Sequence, residues 1–271
     1  METRIEGVNF NIYLFLDRLD LAKHIVNKSL KMKNALKYIN IITLILLILV
    51  AIEYNIPQKV YKKVFSEKQK SLECNYSLDQ FDFHFRAESD STKIIMLGNS
   101  LIRGGDWDSL LNRKDILNRG ISGDRMGCIC ERLTYLSNKK AKIWFIEGGI
   151  NDLPATKIDS IFNQYKTIVD FVKNENAIPV ISLIVYISPK AGEFYPARTF
   201  YKQINHSIKQ LNQMLVQYAS ENKIDYIDLN SIVSKNDILQ DKYTTDGVHL
   251  TPEGYQKWTD LINAILIKNK I

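Results

Sequence analysis

From residue 93 onward the chain alternates short apolar runs with longer segments of helical period, and this alternation restricts the fold more than any other feature. The runs are 93–97 (KIIML), 116–118 (ILN), 142–147 (KIWFIE), 179–186 (PVISLIVY) and 224–229 (IDYIDL). They are short and almost continuously apolar, the pattern of strands covered on both faces. Between them, apolar residues recur every three or four positions: Met126, Ile129, Leu133 and Leu136; Ile158, Ile161, Tyr165, Ile168 and Val172; Ile204, Ile208, Leu211, Leu215 and Tyr218. A last segment opens on Thr251, suited to cap a helix, and Pro252, suited to its first position. It then sets Tyr255, Trp258, Leu261 and Ile265 on one face. Strand–helix alternation implies a parallel sheet with helices on both sides. The expected fold is therefore α/β, a three-layer α/β/α domain over residues 91–271 with a five-stranded parallel sheet of flavodoxin-like order.

Upstream the pattern is different. Residues 41–52 read IITLILLILVAI, with Thr43 the only polar residue, and Lys28, Lys31, Lys33 and Lys37 precede them. A basic flank before an apolar core is the pattern of a signal anchor or a signal peptide. Residues 38–56 are expected to be one or the other, and the lack of a small-x-small cleavage pattern favours the anchor. Either way the rest of the chain is expected outside the cytoplasm, anchored to the membrane or, after cleavage, secreted or periplasmic. Residues 1–37 then form a cytoplasmic segment, in which Ile12, Phe15, Leu16, Leu19 and Ile25 suit an amphipathic helix, or translation begins at Met32; both stay open. Residues 57–90 are polar and lysine-rich and are expected to be a stalk.

The net charge of +6 does not by itself indicate nucleic acid. Lysines and arginines are scattered, with no basic run interleaved with aromatics after the stalk, so they read as solvated surface and no nucleic-acid partner is expected. Cys74, Cys128 and Cys130 match neither a metal-ligand spacing nor a disulfide framework, and Cys128 and Cys130, on a predicted helix, are expected to be small buried apolar residues. No metal is expected. The glycine patterns of nucleotide-binding loops are absent too, and no cofactor is expected.

Four polar clusters stand at the ends of the predicted strands. Gly98-Asn99-Ser100 follows the first, Asn118-Arg119-Gly120-Ile121-Ser122-Gly123-Asp124 the second, and Gly148-Gly149-Ile150-Asn151-Asp152 the third. Asp246-Gly247-Val248-His249 follows the fifth, just before the last helix. Each alone also suits an ordinary turn or helix cap. Together they matter, because the carboxyl ends of parallel strands line one crevice. A serine hydroxyl is a weak nucleophile until a neighbouring base takes its proton, and an imidazole does so near neutral pH. Asp246, three residues before His249, is placed to hold the ring's other nitrogen. Backbone N–H groups of Ser100 and Gly123 and the Asn151 amide suit an oxyanion hole. The α/β-hydrolase pattern G-x-S-x-G is absent around Ser100.

These four clusters resemble the conserved blocks of the SGNH-hydrolase (GDSL-like lipase/acylhydrolase) family: GNS its nucleophile block, NRGISGD its glycine block, GIND its G-x-N-D block and DGVH its D-x-x-H block. The resemblance spans about residues 93–268. It implies ester hydrolysis with Ser100 as nucleophile, His249 and Asp246 as base and acid, and Ser100, Gly123 and Asn151 around the oxyanion. Arg125-Met126 departs from the small hydroxyl residues common there in the family, so Arg125 is a candidate substrate contact, as is Asn99. The long connection 187–203 carries Phe194, Tyr195, Phe200 and Tyr201. It is expected either to be a loop pinned to the domain by its aromatics or to offer a flat aromatic platform, Tyr195 included, with Trp107 on the opposite rim. The expected substrate is a small acyl ester, an acetyl ester above all, carried on an envelope or extracellular carbohydrate. An acyltransferase to a sugar hydroxyl, a lipid-ester acylhydrolase and a binding module that keeps the fold are the rivals.

Overall fold

The structure is a computed structural model that describes residue 74 and residues 92–137 and 140–271. The expectations for residues 1–37, 38–56 and 57–90 lie outside the described residues, Cys74 excepted. Among the described residues no helix is long and apolar enough to cross a membrane.

The chain forms β1 (Ile94–Gly98), α1 (Ser100–Arg103), α2 (Trp107–Leu111), β2 (Ile116–Gly120), α3 (Met126–Glu131), β3 (Ile143–Ile146), α4 (Ile158–Asn174) and β4 (Ile178–Ser182). There follow α5 (Ala191–Phe194), α6 (Tyr201–Glu221), β5 (Asp225–Ile227), α7 (Asn230–Val233), a small antiparallel pair β6 (Ser234–Lys235) and β7 (Ile238–Leu239), and α8 (Pro252–Lys268). Five strands pair in parallel in the order β2-β1-β3-β4-β5, the expected doubly wound order.

Burial on both faces follows the two-residue period of each strand. Ile95 and Leu97 of β1, Trp144 and Ile146 of β3 and Ile181 of β4 join a core with α3, α4 and α6. Ile94 and Met96, Ile143 and Phe145, and Val180 join a second core with α1, α2 and α8. Neither face meets water, which is why the strands read as unbroken apolar runs. At the start of α8, the Thr251 side chain accepts from the Gly254 N–H, with Pro252 at the first position.

Two expectations need correction. The fourth run was expected to continue as strand through Tyr186, but β4 ends at Ser182. Its neighbour β5 has only three residues, so the chain beyond has no strand to pair with. Asparagine side chains stand in for it. Asn212 and Asn205 each bond both the N–H and the C=O of one residue, Ile184 and Ile187 respectively, and Asn230 accepts from Tyr186 N–H and donates to Ile184 C=O. A buried apolar segment can thus leave the sheet without orphaning its backbone. The second correction concerns the cysteines: Cys74 and Cys128 form a disulfide, and only Cys130 is free. A pairing 54 residues apart has no local signature.

One buried acid makes a testable mark on stability. Glu147, just after β3, is fully buried and accepts from Asn99 Nδ2 at 3.3 Å. Burial pushes its carboxyl up to about 8, against the opposing pull of the bonds from Asn99. The folded protein therefore keeps a proton that the unfolded chain releases near about pH 4.3. Stability contributed by this group is present below that value, falls as pH rises towards about 8, and is level above it. In Glu147→Gln this slope should flatten. The check is thermal unfolding of both proteins at about pH 5 and about pH 8; an equal loss of stability in the two would place the pH dependence elsewhere.

Candidate active site

The site lies at the carboxyl edge of the sheet, where three loops and a strap meet. Ser100 is the first residue of α1, directly after β1. Asn99 caps this short helix, its side chain accepting from Leu101 N–H at 2.8 Å. The close passage of strands and helix here requires glycine: a Cβ at Gly98 would strike the Glu147 carbonyl, and one at Gly120 the Arg103 backbone.

His249 Nε2 lies 2.9 Å from Ser100 Oγ, and His249 Nδ1 lies 2.6 Å from Asp246 Oδ2. Residues 149 positions apart in sequence thus form one hydrogen-bonded line. The loop that carries the acid and the histidine is built to hold them. Asp246 Oδ1 accepts from the N–H groups of Val248 (2.9 Å) and His249 (2.8 Å), and Thr244 Oγ1 donates to the His249 carbonyl at 2.8 Å. Gly247 takes φ +89, and an added Cβ would meet the Ala191 backbone. Asp246 is pulled two ways. Burial would raise its pKa, but bonds from Tyr195, His249 and two backbone amides hold the carboxyl well below the usual range.

Gly123 and Asn151 sit on loops tied to the end of β1 and to each other. Ile121 N–H donates to Gly98 C=O at 3.0 Å, and Asn151 Nδ2 donates to Asp124 C=O at 2.9 Å. Asn151 Oδ1 accepts from Arg198 at 3.3 Å, so both ends of the amide are oriented. One Nδ2 hydrogen has no partner among the described residues, and an oxyanion donor needs one such hydrogen. Gly123 has φ +81, and nothing lies within 4 Å of where its Cβ would be. Glycine suits that backbone conformation, which side chains rarely adopt.

The remaining candidates divide. Arg125 lies beside Asn151, its Nε donating to the Asn151 C=O at 3.4 Å. Trp107 is not on a rim. It is 2% exposed, donates to Ile102 C=O at 2.8 Å and packs edge-on against Tyr255 and Trp258. Its place in α2 turns it inwards, a tertiary effect that the preceding Gly104-Gly105 concealed. Asn99 is 0% exposed and meets Leu101 and Glu147, so it supports the site from beneath. Tyr195 is half-buried, and its hydroxyl donates to Asp246 Oδ2 at 2.6 Å. The exposed aromatics of the strap are Phe194, at 55%, and Phe200, at 47%.

Four further residues support the surroundings, and of these only Asp152, which closes the G-x-N-D block, stood in a polar cluster of the sequence. Arg198 donates to Ile150 C=O at 2.7 Å as well as to Asn151. Arg132 pairs with Asp124 at 2.9 Å and donates to the carbonyls of Gly98 and Arg119. Asp152 accepts from Met126 N–H at 2.9 Å and so caps α3 from another loop; burial pushes it up to about 6. Glu147 lies under Asn99. Among the described residues no group of acidic, histidine or cysteine side chains is arranged to hold a metal.

A family model described as "GDSL-like Lipase/Acylhydrolase family" matches residues 96–257. Among solved structures, a GDSL-like lipase from Bacteroides thetaiotaomicron VPI-5482 superposes with a TM-score of 0.63 at 23% identity, over 72% of this chain and 98% of the other. An acetyl xylan esterase superposes with a TM-score of 0.52 at 17% identity, over 64% and 99%. In sequence, the N-acylneuraminate cytidylyltransferase of Streptococcus agalactiae serotype III (strain NEM316) is 21% identical over 176 residues, which are 62% of this chain. The match spans only 40% of that curated relative's length.

The geometry makes a quantitative expectation for Asn151. An oxyanion donor binds the transition state more tightly than the ground state. Asn151→Ala should therefore lower kcat by roughly 10²- to 10³-fold with a smaller change in KM. Steady-state kinetics on an activated acetate ester decide; a change confined to KM would make Asn151 a ground-state contact.

Proposed function

The chain belongs to the GDSL-like lipase/acylhydrolase family, and from that membership we propose that it is a serine esterase that removes small acyl groups from carbohydrate outside the cytoplasm. The observation that carries the mechanism is the unbroken line from Ser100 Oγ through His249 to Asp246. His249 Nε2 takes the hydroxyl proton as Ser100 Oγ attacks the ester carbonyl. The resulting oxyanion accepts from Ser100 N–H, Gly123 N–H and Asn151 Nδ2. Collapse breaks the bond to the alcohol, which leaves with the proton from His249. Water, deprotonated by the same nitrogen, then attacks the acyl-enzyme; the acid departs and Ser100 regains its proton. Asp246 holds the imidazole in orientation and stays ionised throughout.

The substrate rests on slighter support. One solved neighbour is named an acetyl xylan esterase. Exposed Phe194 and Phe200 on the strap suit the apolar face of a sugar ring. A shallow site should cleave p-nitrophenyl acetate with a higher kcat/KM than the octanoate ester, and should deacetylate an O-acetylated sugar. Ser100→Ala should lose on the order of 10⁴- to 10⁶-fold in turnover while remaining folded. A steady rise in kcat/KM from acetate to octanoate, up to ~0.8 kcal/mol per buried CH₂, would reveal an acyl-chain pocket and the lipid-ester reading instead. Product analysis with an alcohol acceptor separates the acyltransferase.

Location has two independent supports. The apolar run 41–52 follows a lysine-rich flank, and the Cys74–Cys128 disulfide suits an oxidising compartment. Thiol labelling of the denatured, unreduced protein from its native host should modify Cys130 and spare Cys74 and Cys128. Labelling of all three would place the domain in a reducing compartment.

A further inference from the structure

The segment 188–198 is bonded to both halves of the site. Ser188 N–H donates to Gly247 C=O at 2.9 Å, which ties the strap to the loop of Asp246 and His249. Arg198, at its other end, bonds Ile150 and Asn151. Between them α5 and a 3₁₀ turn fix Tyr195: its N–H donates to Ala191 C=O at 2.8 Å, and its C=O accepts from Arg198 N–H at 2.7 Å. With the Tyr195 backbone held in this way, its hydroxyl meets Asp246 Oδ2 at 2.6 Å, the same oxygen and the same distance as His249 Nδ1. The hydroxyl is 3.4 Å from Nδ1 itself. Two short donors therefore converge on one carboxylate oxygen while two backbone amides occupy the other. All four acceptor positions of Asp246 are filled.

The geometry points to Tyr195 as a positioning residue of the triad, one that shares the Asp246 carboxylate with His249 and thereby sets the pH at which the base becomes available. This inference rests on the esterase reading above. A carboxylate that accepts four bonds spreads its charge over four donors, so it attracts the imidazolium proton less than one held by the histidine alone. His249 then returns its proton to the leaving alcohol more readily. The same bond fixes the plane of the carboxylate and so the direction of His249 Nε2. The polar and charged groups turned towards this cluster are few. Ser100 approaches from α1, Asp246 from its own loop, and Tyr195 and Arg198 from the strap. Lys190 lies over the Phe194 ring instead, and Asp124 is paired with Arg132. The Tyr195 phenol itself is pushed up to about 12, by burial first and then by Asp246, so it remains a donor across the working range.

The test compares pH profiles of kcat/KM for the full chain on p-nitrophenyl acetate, with Ser100→Ala as the blank. Tyr195→Phe removes one donor from Oδ2. The acid limb should move up by about 0.3–1 pH unit, and kcat on the plateau should fall roughly 3- to 30-fold with little change in KM. Replacing Tyr195 by 3-fluorotyrosine keeps the ring and strengthens the donor, so the limb should move to lower pH. This second protein decides the matter if Tyr195→Phe does not fold. A limb unmoved in both, or moved the same way in both, overturns the proposal. A rise in KM with the limb unmoved would also overturn it and return Tyr195 to the substrate platform. An inactive wild-type protein would fell the esterase reading and this inference together, whereas an active one with an unmoved limb fells the inference alone.

Discussion

Arg132 is the interaction on which the site depends. Its guanidinium is wholly buried and joins three pieces of chain that the sequence keeps apart: the Gly98 carbonyl at the end of β1, the Arg119 carbonyl on β2, and the Asp124 carboxylate in the glycine loop. Gly98 is two residues before Ser100, and Asp124 follows Gly123 directly. Nucleophile and proposed oxyanion donor are therefore referred to one cation. The planar fork of arginine suits the task, because it reaches several oxygens in fixed directions. A buried pair of this kind adds little net stability by its attraction alone, since both charges first lose water. Its loss is another matter: removing one partner leaves an uncompensated charge, a cost of roughly 3–5 kcal/mol.

The same economy of support extends round the edge of the sheet. Parallel strands end together, so their last backbone groups and the loops beyond have no strand to pair with. Side chains from distant segments fill that need. Asn205, Asn212 and Asn230 bond the chain after β4, Asp152 caps α3 from the Asn151 loop, and Arg198 bonds the carbonyl beside Asn151. Each bond runs between segments at least 18 residues apart. The loops are consequently rigid where catalysis needs them so, which is the condition for electrostatic preorganisation.

What could be read from the sequence follows the same division. The five strands, their order and the long helices were legible because burial on both sheet faces writes an apolar run, and one-sided burial writes a three- and four-residue period. The meeting of Ser100, Asp246 and His249 was legible because strand polarity sends all these loops to one edge. Contacts that arise only in three dimensions were not. Trp107 reads like an exposed loop aromatic until α2 packs it against α8. Tyr195 reads as one aromatic among several, and only the strap's path brings its hydroxyl to Asp246. The run 179–186 overstates its strand because apolar composition records burial, not a pairing partner.

Three acids at this edge show how far environment outweighs residue type. Glu147 is fully buried with one weak donor, and burial pushes it up to about 8. Asp152 is buried and accepts from the Met126 N–H, and burial outweighs its backbone bonds and pushes it up to about 6. Asp246 is also partly buried, yet it receives four donors and is held below the ordinary carboxylate range. At neutral pH Glu147 is mainly a neutral acid, while Asp246 is fully charged. The separation matters for a base: a second full carboxylate charge beneath the site would favour the protonated imidazole, leaving less of it free to take the serine proton and making it slower to give that proton to the leaving alcohol. Burying Glu147 under Asn99 keeps that charge out of the field, so the negative charge at His249 is supplied by the residue whose geometry also orients the ring. Asp124 at the same edge is paired with Arg132, so Asp246 is the carboxylate whose charge meets the His249 ring.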